Sequence, residues 1–394
     1  MRIQYRKSYD VVVAGAGIGG IASALAAARM GMKTALIEKQ TLIGGLATSG
    51  LIYIYLPLSD GKGRQVTFGI AEELLKASLK YSPFDLHENW GGPANGFLGH
   101  KSGMERYKCL FSPAGFTLAL DELLKEANVD LWLYTMVCDV QKSCDNNVTA
   151  VEVENCSGRG VVTAKRFIDA TGDATIVRRA GGAYKTADNY VTPWVMETAL
   201  DCSYHPVAPG IKLTVSGKWN EDYLISNGEN SKVATEFTRR TWEMKRNEYD
   251  KAYASGVYNR KNLYPIHLPA MPQLRKIAHI EGIENLDTGD HTKQFESSVG
   301  LYSDWRGGAE VWEIPYGTLV PRDVQGVLAC GRCMAADNDA WEVFRVIPAA
   351  AVTGEISGVA AALSIKNNCQ PSEIKPSELR DLLTPKGFIY HYDK

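Results

Sequence analysis

The apolar run Val11-Val12-Val13-Ala14 enters Gly15-Ala16-Gly17-Ile18-Gly19-Gly20, and an alanine-rich stretch carries on to Gly31. A second apolar run from Thr34 to Ile37 ends on Glu38-Lys39. No other feature of the chain constrains the fold as much, because each glycine answers a separate steric demand. Gly15 permits a tight turn, Gly17 lets the backbone approach a pyrophosphate, and Gly20 with Ala24 lets the helix lie close to the strand. Amides at the helix start, at Ile18 and Gly19, point at the phosphates, and the helix dipole favours their negative charge. Glu38, about twenty residues beyond the glycines, is placed to accept hydrogen bonds from the hydroxyls of an unphosphorylated ribose. The pattern predicts an α/β domain, a Rossmann-like parallel sheet with helices, that binds a dinucleotide. A glycine-rich turn without a ligand would need neither the second strand nor the acid.

With 394 residues the chain is long enough for two domains and a large core. A net charge of −2 gives no general attraction to nucleic acid or anionic membrane. The opening residues are mostly polar and lead straight into a strand, so no secretory segment is expected. The apolar helix at 21–30 is too short for a membrane span and carries Arg29. Eight cysteines without a disulfide-like framework suit a reducing cytoplasm.

Beyond Thr48 the residues 51–58 read as β, 68–80 as a helix, and 89–103 as a long irregular segment of the kind that often carries function. A helix is expected over 111–127, starting near Ser112-Pro113, followed by β runs at 130–140, 148–155 and 160–169. From 185 to 312 aromatics, prolines and charges mix without a parallel-strand signature, and 221–253 reads as one long helix or a pair. The regular pattern returns at Glu313, with a buried strand over 326–331 and a final helix over 347–366. The nucleotide domain is thus expected in pieces, 1–55, 105–184 and 313–394, with a smaller α+β substrate domain over 185–312 and part of 56–104. The basic run Arg239 to Arg246 is interleaved with Glu236, Glu243 and Glu248, as on a solvated helix rather than a nucleic-acid face.

The fingerprint alone fits NAD as well as FAD, so an NAD-dependent dehydrogenase stays an alternative. Three features favour FAD. Gly44-Gly45 lies in a segment able to run under an isoalloxazine ring. Phe167 to Asp173 brings another strand end and glycine turn, Ala170-Thr171-Gly172-Asp173, to the crevice. Pro348 opens the last helix, whose positive end can face the flavin edge that becomes negative on reduction.

At Ile37-Glu38-Lys39, Gly44-Gly45-Leu46-Ala47-Thr48, Phe167 to Asp173, Glu313-Ile314-Pro315-Tyr316, Leu319 to Arg322, Cys330-Gly331-Arg332-Cys333 and Phe344-Arg345-Val346-Ile347-Pro348 the chain resembles the FAD-dependent oxidoreductases. That group is largely uncharacterised and bacterial, within the glutathione-reductase-like superfamily. The likeness spans roughly 1–55, 112–182 and 302–366, and little of the middle. It implies non-covalent FAD held by Gly15, Gly17, Ile18, Gly19, Gly20, Glu38, Lys39, Gly44, Gly45, Leu46, Ala47, Thr48, Ala170, Thr171, Gly172, Asp173, Gly331 and Arg332. By position it also implies an adenine contact from the Val137 backbone and amides of Ile347, Ala349 and Ala350 at the reduced N1/C2=O edge. Relatives place an Asp directly after the glycine of the last strand. Here Arg332 stands there, so the ribityl contact is expected from Asp337. The paired cysteines of disulfide reductases are replaced by Leu46-Ala47-Thr48-Ser49, so that activity is not implied.

Arg345, just before the last helix, is the candidate catalytic residue, able to clamp a substrate carboxylate or stabilise the reduced ring. The bland reading pairs it with Asp337 or Asp339. Arg306 carries the same choice, tilted to structure. Cys330 and Cys333 have thioredoxin-like spacing, but at a strand end cysteine is more often a buried filler. No His or second pair accompanies them, so metal is not expected. His100, His205, His267, His279 and His291 stand alone in sequence, and none has a partner that marks it as the proton donor or acceptor.

The expected activity is hydride transfer between a small organic metabolite, carbohydrate-like or carboxylated, and flavin N5, with Gly45–Ser49 beside N5. The electron partner and the oligomeric state, homo-oligomer or not, stay open. Two further classes remain: a flavin-dependent RNA-modifying enzyme, disfavoured by the charge, and a flavin-binding electron relay without its own substrate.

Overall fold

The computed structural model describes residues 3–86, 108–198, 206–208, 211–216, 221–306 and 310–392. The irregular segment expected at 89–103, with His100, and the isolated His205 lie outside those residues.

β1 (Tyr5–Ala14), α1 (Ile18–Arg29) and β2 (Thr34–Ile37) form the expected opening unit. Alternate side chains of β1 serve two cores. Val11 and Val13 belong with α1 on one face of the sheet, Val12 and Ala14 with the cluster on the other. β3 (Ile54–Tyr55), all that becomes strand of the β run expected at 51–58, pairs with β4 (Cys109–Leu110). Between them lies α2 (Ile70–Leu79). α3 (Pro113–Glu126) starts at Ser112, whose hydroxyl caps Gly115 N at 3.1 Å, with proline in the first turn.

The single β run expected over 130–140 is two strands, β5 (Asp130–Trp132) and β6 (Met136–Lys142). Tyr134 takes a positive φ of 52°, and the backbone turns back so that Thr135 N donates to Glu38 O at 2.9 Å. β7 (Val148–Asn155) and β8 (Gly158–Asp169) follow. The sheet order is β5-β2-β1-β8-β7-β6, with β5, β2, β1 and β8 parallel and β7 and β6 antiparallel. β6 to β8 is therefore a meander, where a doubly wound unit would have a crossover helix.

After α4 (Thr175–Arg179) the chain leaves the sheet through β9 (Tyr184–Thr186), β10 (Asn189–Tyr190), β11 (Trp194–Thr198), β12 (Pro206–Ala208), β13 (Ile211–Val215) and β14 (Leu224–Ile225). The helix expected over 221–253 is one long element, α5 (Ser231–Ala254), capped by the Asn230 side chain. β15 (Pro265–His267) completes an antiparallel sheet in the order β12-β13-β11-β15. A buried charge network holds α5 to it. Glu197 accepts from Tyr249 Oη at 2.7 Å and pairs with Lys245 at 3.1 Å. β16 (Ala278–Ile280) returns to β9, and β17 (Ser298–Ser303) pairs with β18 (Val311–Pro315). β19 (Val327–Ala329) then joins the large sheet beside the last three residues of β8.

α6 (Asn338–Phe344) precedes α7 (Ile347–Lys366), and α8 (Pro376–Leu383) comes after it, so α7 is not the last helix. α7 is long and apolar enough to cross a membrane, but 83% of its apolar window is buried inside the protein. It is the central core helix. Its Gly354 and Gly358 lie against α1 so closely that an added Cβ would come within 2.2 Å of Gly19 O and 2.4 Å of Ser23 O.

Candidate functional site

The carboxyl ends of β1, β2, β8 and β19 open on one crevice, as expected of an open parallel sheet. Two cavities of about 470 and 280 Å³ share Gly15, Glu38, Lys39, Thr171 and Asp173 in their walls, so they are parts of one cleft.

At its outer end the larger cavity is lined by Ala14, Glu38, Lys39, Thr135, Met136 and Val137, facing Arg178, Tyr184 and Glu229. Glu38 carries two duties. Its Oε2 accepts from Ala16 N at 2.7 Å and its Oε1 from Gln40 N at 2.9 Å, which locks the glycine turn. An ionised carboxylate has about four acceptor positions, so two remain for ribose hydroxyls. Arg178 donates to Asp173 O at 3.2 Å, approaches Glu229 at 3.5 Å and lies 5.0 Å from the Tyr184 ring centre.

In the middle stands the glycine turn. Gly15 has φ of +93°, and a Cβ there would meet Ala170 O at 2.5 Å. Gly20 is packed harder still, 1.8 Å from Gly15 O, whereas a Cβ on Gly17 would meet nothing within 4 Å. Gly17 therefore faces open crevice, and Gly20 is a packing residue. Gly44 N donates to Ala16 O at 2.7 Å, which brings the second glycine pair beside the first. No side chain caps α1 or α7, and neither has an acid in its first turn. Their first amides are left for an anion or dipole in the cleft.

The Ala170–Asp173 turn is pinned from below. Asp169, fully buried, accepts from Thr171 Oγ1 at 2.7 Å and Val177 N at 3.1 Å. Burial pushes its carboxyl up to about 6, against those hydrogen bonds. Cys333 Sγ accepts from Gly172 N at 3.1 Å and Ala174 N at 3.4 Å, while Cys330 Sγ lies 3.4 Å from Ser23 Oγ. The two thiols serve different neighbours. Burial pushes Cys330 up to about 12 and Cys333 well above its ordinary value, so both are inert packing thiols.

The inner cavity is walled by Gly45, Leu46, Ala47, Gly331, Arg332, Arg345, Ile347 and Ala350 on one side. Ala270, Met271, Pro272, Leu274 and Ile277 close the other. That second wall is fastened across the cleft mouth. Ala270 N donates to Ser49 O at 2.8 Å, and the Gln273 amide bonds Gly50 O as well as both backbone groups of Trp194.

Several sequence expectations are relocated. Asp337 does not line the cleft; its carboxylate is held by Lys185 Nζ at 2.7 Å and lies 3.3 Å from buried His279 Nε2. Thr48 turns its hydroxyl back to Ile43 O, and a Cβ on Gly44 would run into it. Ala349 is buried beneath the cleft surface, and the Ala350 amide already donates to Val346 O at 2.8 Å, so Ile347 keeps the accessible open amide of α7. Arg345 pairs with Glu342 rather than Asp337 or Asp339, while still lining the cleft. Arg306 is structural, bound to Asp304 at 2.7 Å and Asp339 at 2.6 Å. His267 is exposed, and His291 sits 3.7 Å from Glu310; neither lines the cleft. Arg178, Thr135, Tyr184 and the 270–277 wall escaped sequence reading because no motif or period marks them.

Comparison with known proteins agrees with this fold. The chain is similar in structure to a geranylgeranyl bacteriochlorophyll reductase-like protein from Thermoplasma acidophilum, with TM-score 0.52, 17% identity, and 97% of this chain and 84% of that one covered. It is also similar to p-nitrophenol 4-monooxygenase from Pseudomonas putida, with TM-score 0.50, 14% identity, and 92% and 81% covered. At those identities the likeness speaks for the fold alone. In sequence it is 48% identical to a tRNA uridine 5-carboxymethylaminomethyl modification enzyme of Geobacter sulfurreducens over 74 aligned positions, 16% of this chain and 12% of that protein. The family described as FAD dependent oxidoreductase matches residues 10–274 and 287–383. With the parallel sheet, the glycine turn and the Glu38 carboxylate in one crevice, this chain belongs to the FAD-dependent oxidoreductase family.

Proposed function

We propose that the protein catalyses hydride exchange between a carbon of a small organic metabolite and FAD bound along this crevice. When bound, FAD supplies a two-electron acceptor and donor at its N5 atom. The amides of Ile18 and Gly19 would bind its pyrophosphate, Glu38 its ribose, and the backbone about Val137 its adenine. Gly45 to Ser49 would border the ring, with the Ile347 amide at the edge where negative charge develops. The 270–277 wall would keep water from the reacting atoms and orient the substrate against the ring.

The observation that carries this reading is that second wall. An electron relay needs no space for a substrate, whereas here the Ala270 and Gln273 bonds to Ser49 and Gly50 hold a second wall beside a half-open inner cavity of about 280 Å³. Anaerobic screening of the purified protein against a metabolite library, following bleaching of the flavin absorbance, tests it. Bleaching by a small molecule is expected. A protein that is colourless and takes up no FAD would refute the reading. The short likeness to a tRNA-modifying enzyme favours a second reading, RNA modification by the same cofactor. Saturable retention of total tRNA on a filter at moderate salt would support it.

A further inference from the structure

Three arginines meet around the inner cavity. Arg332 follows Gly331 and Arg345 precedes α7, both in the cavity wall, and Arg275, buried in the 270–277 segment next to the lining residue Leu274, is within electrostatic reach of both. Their fixings are unusual for so much charge. Arg275 donates to the carbonyls of Gln273 and Thr192, and Arg332 to that of Leu274. Carbonyl oxygens orient a guanidinium but do not neutralise it. Glu342 is the carboxylate bonded within this group, and it is shared between Arg345 and Lys276, the latter at 2.8 Å. Asp173 is the other acid near Arg332. Burial, then the positive charges of Arg345 and Arg332, push Arg275 down to about 9. Burial accounts for most of that shift, and the remainder is like-charge repulsion that an anion among the three would relieve. The α7 dipole adds to it, because Ile347 and Ala350 line the same space.

We propose that Arg332 and Arg345, with Arg275 behind them, bind the carboxylate of the substrate, which is therefore a small organic acid. The proposal rests on the flavoenzyme reading above and names its substrate class. Guanidinium suits the role because its planar fork matches a carboxylate, and its charge-assisted bonds are about twice as strong as neutral ones. The cofactor's own phosphates are the competing source of negative charge. They already have the Gly15–Gly20 turn and the first amides of α1, whereas Arg345 stands at the end of α6, just before α7.

The test uses the FAD-loaded protein. Malonate is titrated at fixed ionic strength while the flavin absorbance spectrum is recorded, with uncharged malonamide as control. Saturable perturbation by malonate and none by malonamide is expected. Arg345→Gln should weaken the malonate response at least about tenfold, the loss of a charged hydrogen bond, and keep its FAD. Arg345→Lys should recover part of it. Two outcomes overturn the proposal: holoenzyme indifferent to malonate or equally perturbed by malonamide, or Arg345→Gln shedding FAD, which would assign the cluster to the phosphates. Failure of the broader reading looks different, since there would be no bound flavin to perturb.

Discussion

Gly17 and Gly20 stand three residues apart in the same turn, yet the crevice asks opposite things of them. An added methyl on Gly20 would overlap Gly15 O at 1.8 Å, backbone against backbone, so the turn must open or α1 must move. Among the described residues, an added methyl on Gly17 touches no atom within 4 Å and occupies crevice instead. Gly17 has φ of −68°, which alanine accepts. Gly17→Ala should therefore leave apoprotein stability within about 0.5 kcal/mol and weaken FAD binding about tenfold or more. Gly20→Ala should cost about 3 kcal/mol or more of stability as well. Urea unfolding of apoprotein beside FAD titration separates the two effects; equal loss of stability in both variants would contradict this division. Asp169 supplies the pH counterpart. Its folded pKa is raised to about 6 from 3.8, so the folded state binds the extra proton between those values and stability from this group falls as pH rises through that window. Two units correspond to about 3 kcal/mol. Across pH 4 to 6 the stability of Asp169→Asn relative to wild type should move in the variant's favour by up to that amount. A difference flat in pH would show that the carboxyl titrates normally.

At the scale of elements the site depends on two helices whose starts meet in the crevice, α1 and α7. They are held together by the Gly354 and Gly358 face of α7 against Gly19 and Ser23 of α1. In an exposed helix Gly→Ala gains about 1 kcal/mol of helix propensity. Here the methyl at Gly358 would lie 2.4 Å from Ser23 O and must push the helices apart, an overpacking cost of about 1–3 kcal/mol. Gly358→Ala should thus lower the thermal midpoint, and FAD affinity should fall with it, because separating the helices displaces the helix-start amides proposed to hold the cofactor. A stabilised variant would show that the two helices can slide apart freely. Such close packing leaves glycine as its trace in the sequence, here Gly354 and Gly358 within the apolar run 347–366. Other elements left no such trace. The turn between β5 and β6 depends on Thr135 reaching Glu38 O and on Tyr134 in a left-handed conformation, neither of which hydrophobic pattern encodes. The meander β6-β7-β8 reads as three β runs, but its antiparallel direction is decided by the short connections rather than by side-chain type.

For the whole molecule, strand ends are local and walls are not. Gly15, Glu38, Ala170–Asp173 and Gly331 each sit where a strand stops at a glycine or an acid, so the cofactor side could be read one strand at a time. Ala270, Met271, Pro272 and the Arg275–Arg332–Arg345 cluster come together only when 185–312 folds back over the sheet, a tertiary event without a sequence period. Asp337 shows the same limit: lying a few residues after β19 does not place a carboxylate in the cleft when Lys185 and His279 claim it first. A cradle assembled from such distant pieces couples FAD to the stability of the whole chain. A ligand that binds only the folded state stabilises it by RT ln(1 + [L]/Kd), about 1.4 kcal/mol for each tenfold excess over Kd. The urea midpoint should therefore keep rising as free FAD increases beyond one equivalent, and the transition should stay single because β19, a strand of the sheet, and α7, packed on it, both reach the crevice. A free-FAD dependence that stops at stoichiometry, or a 185–312 segment that unfolds separately and ignores FAD, would mean that the second wall is not coupled to the cradle. The 270–277 wall would then be incidental to cofactor binding.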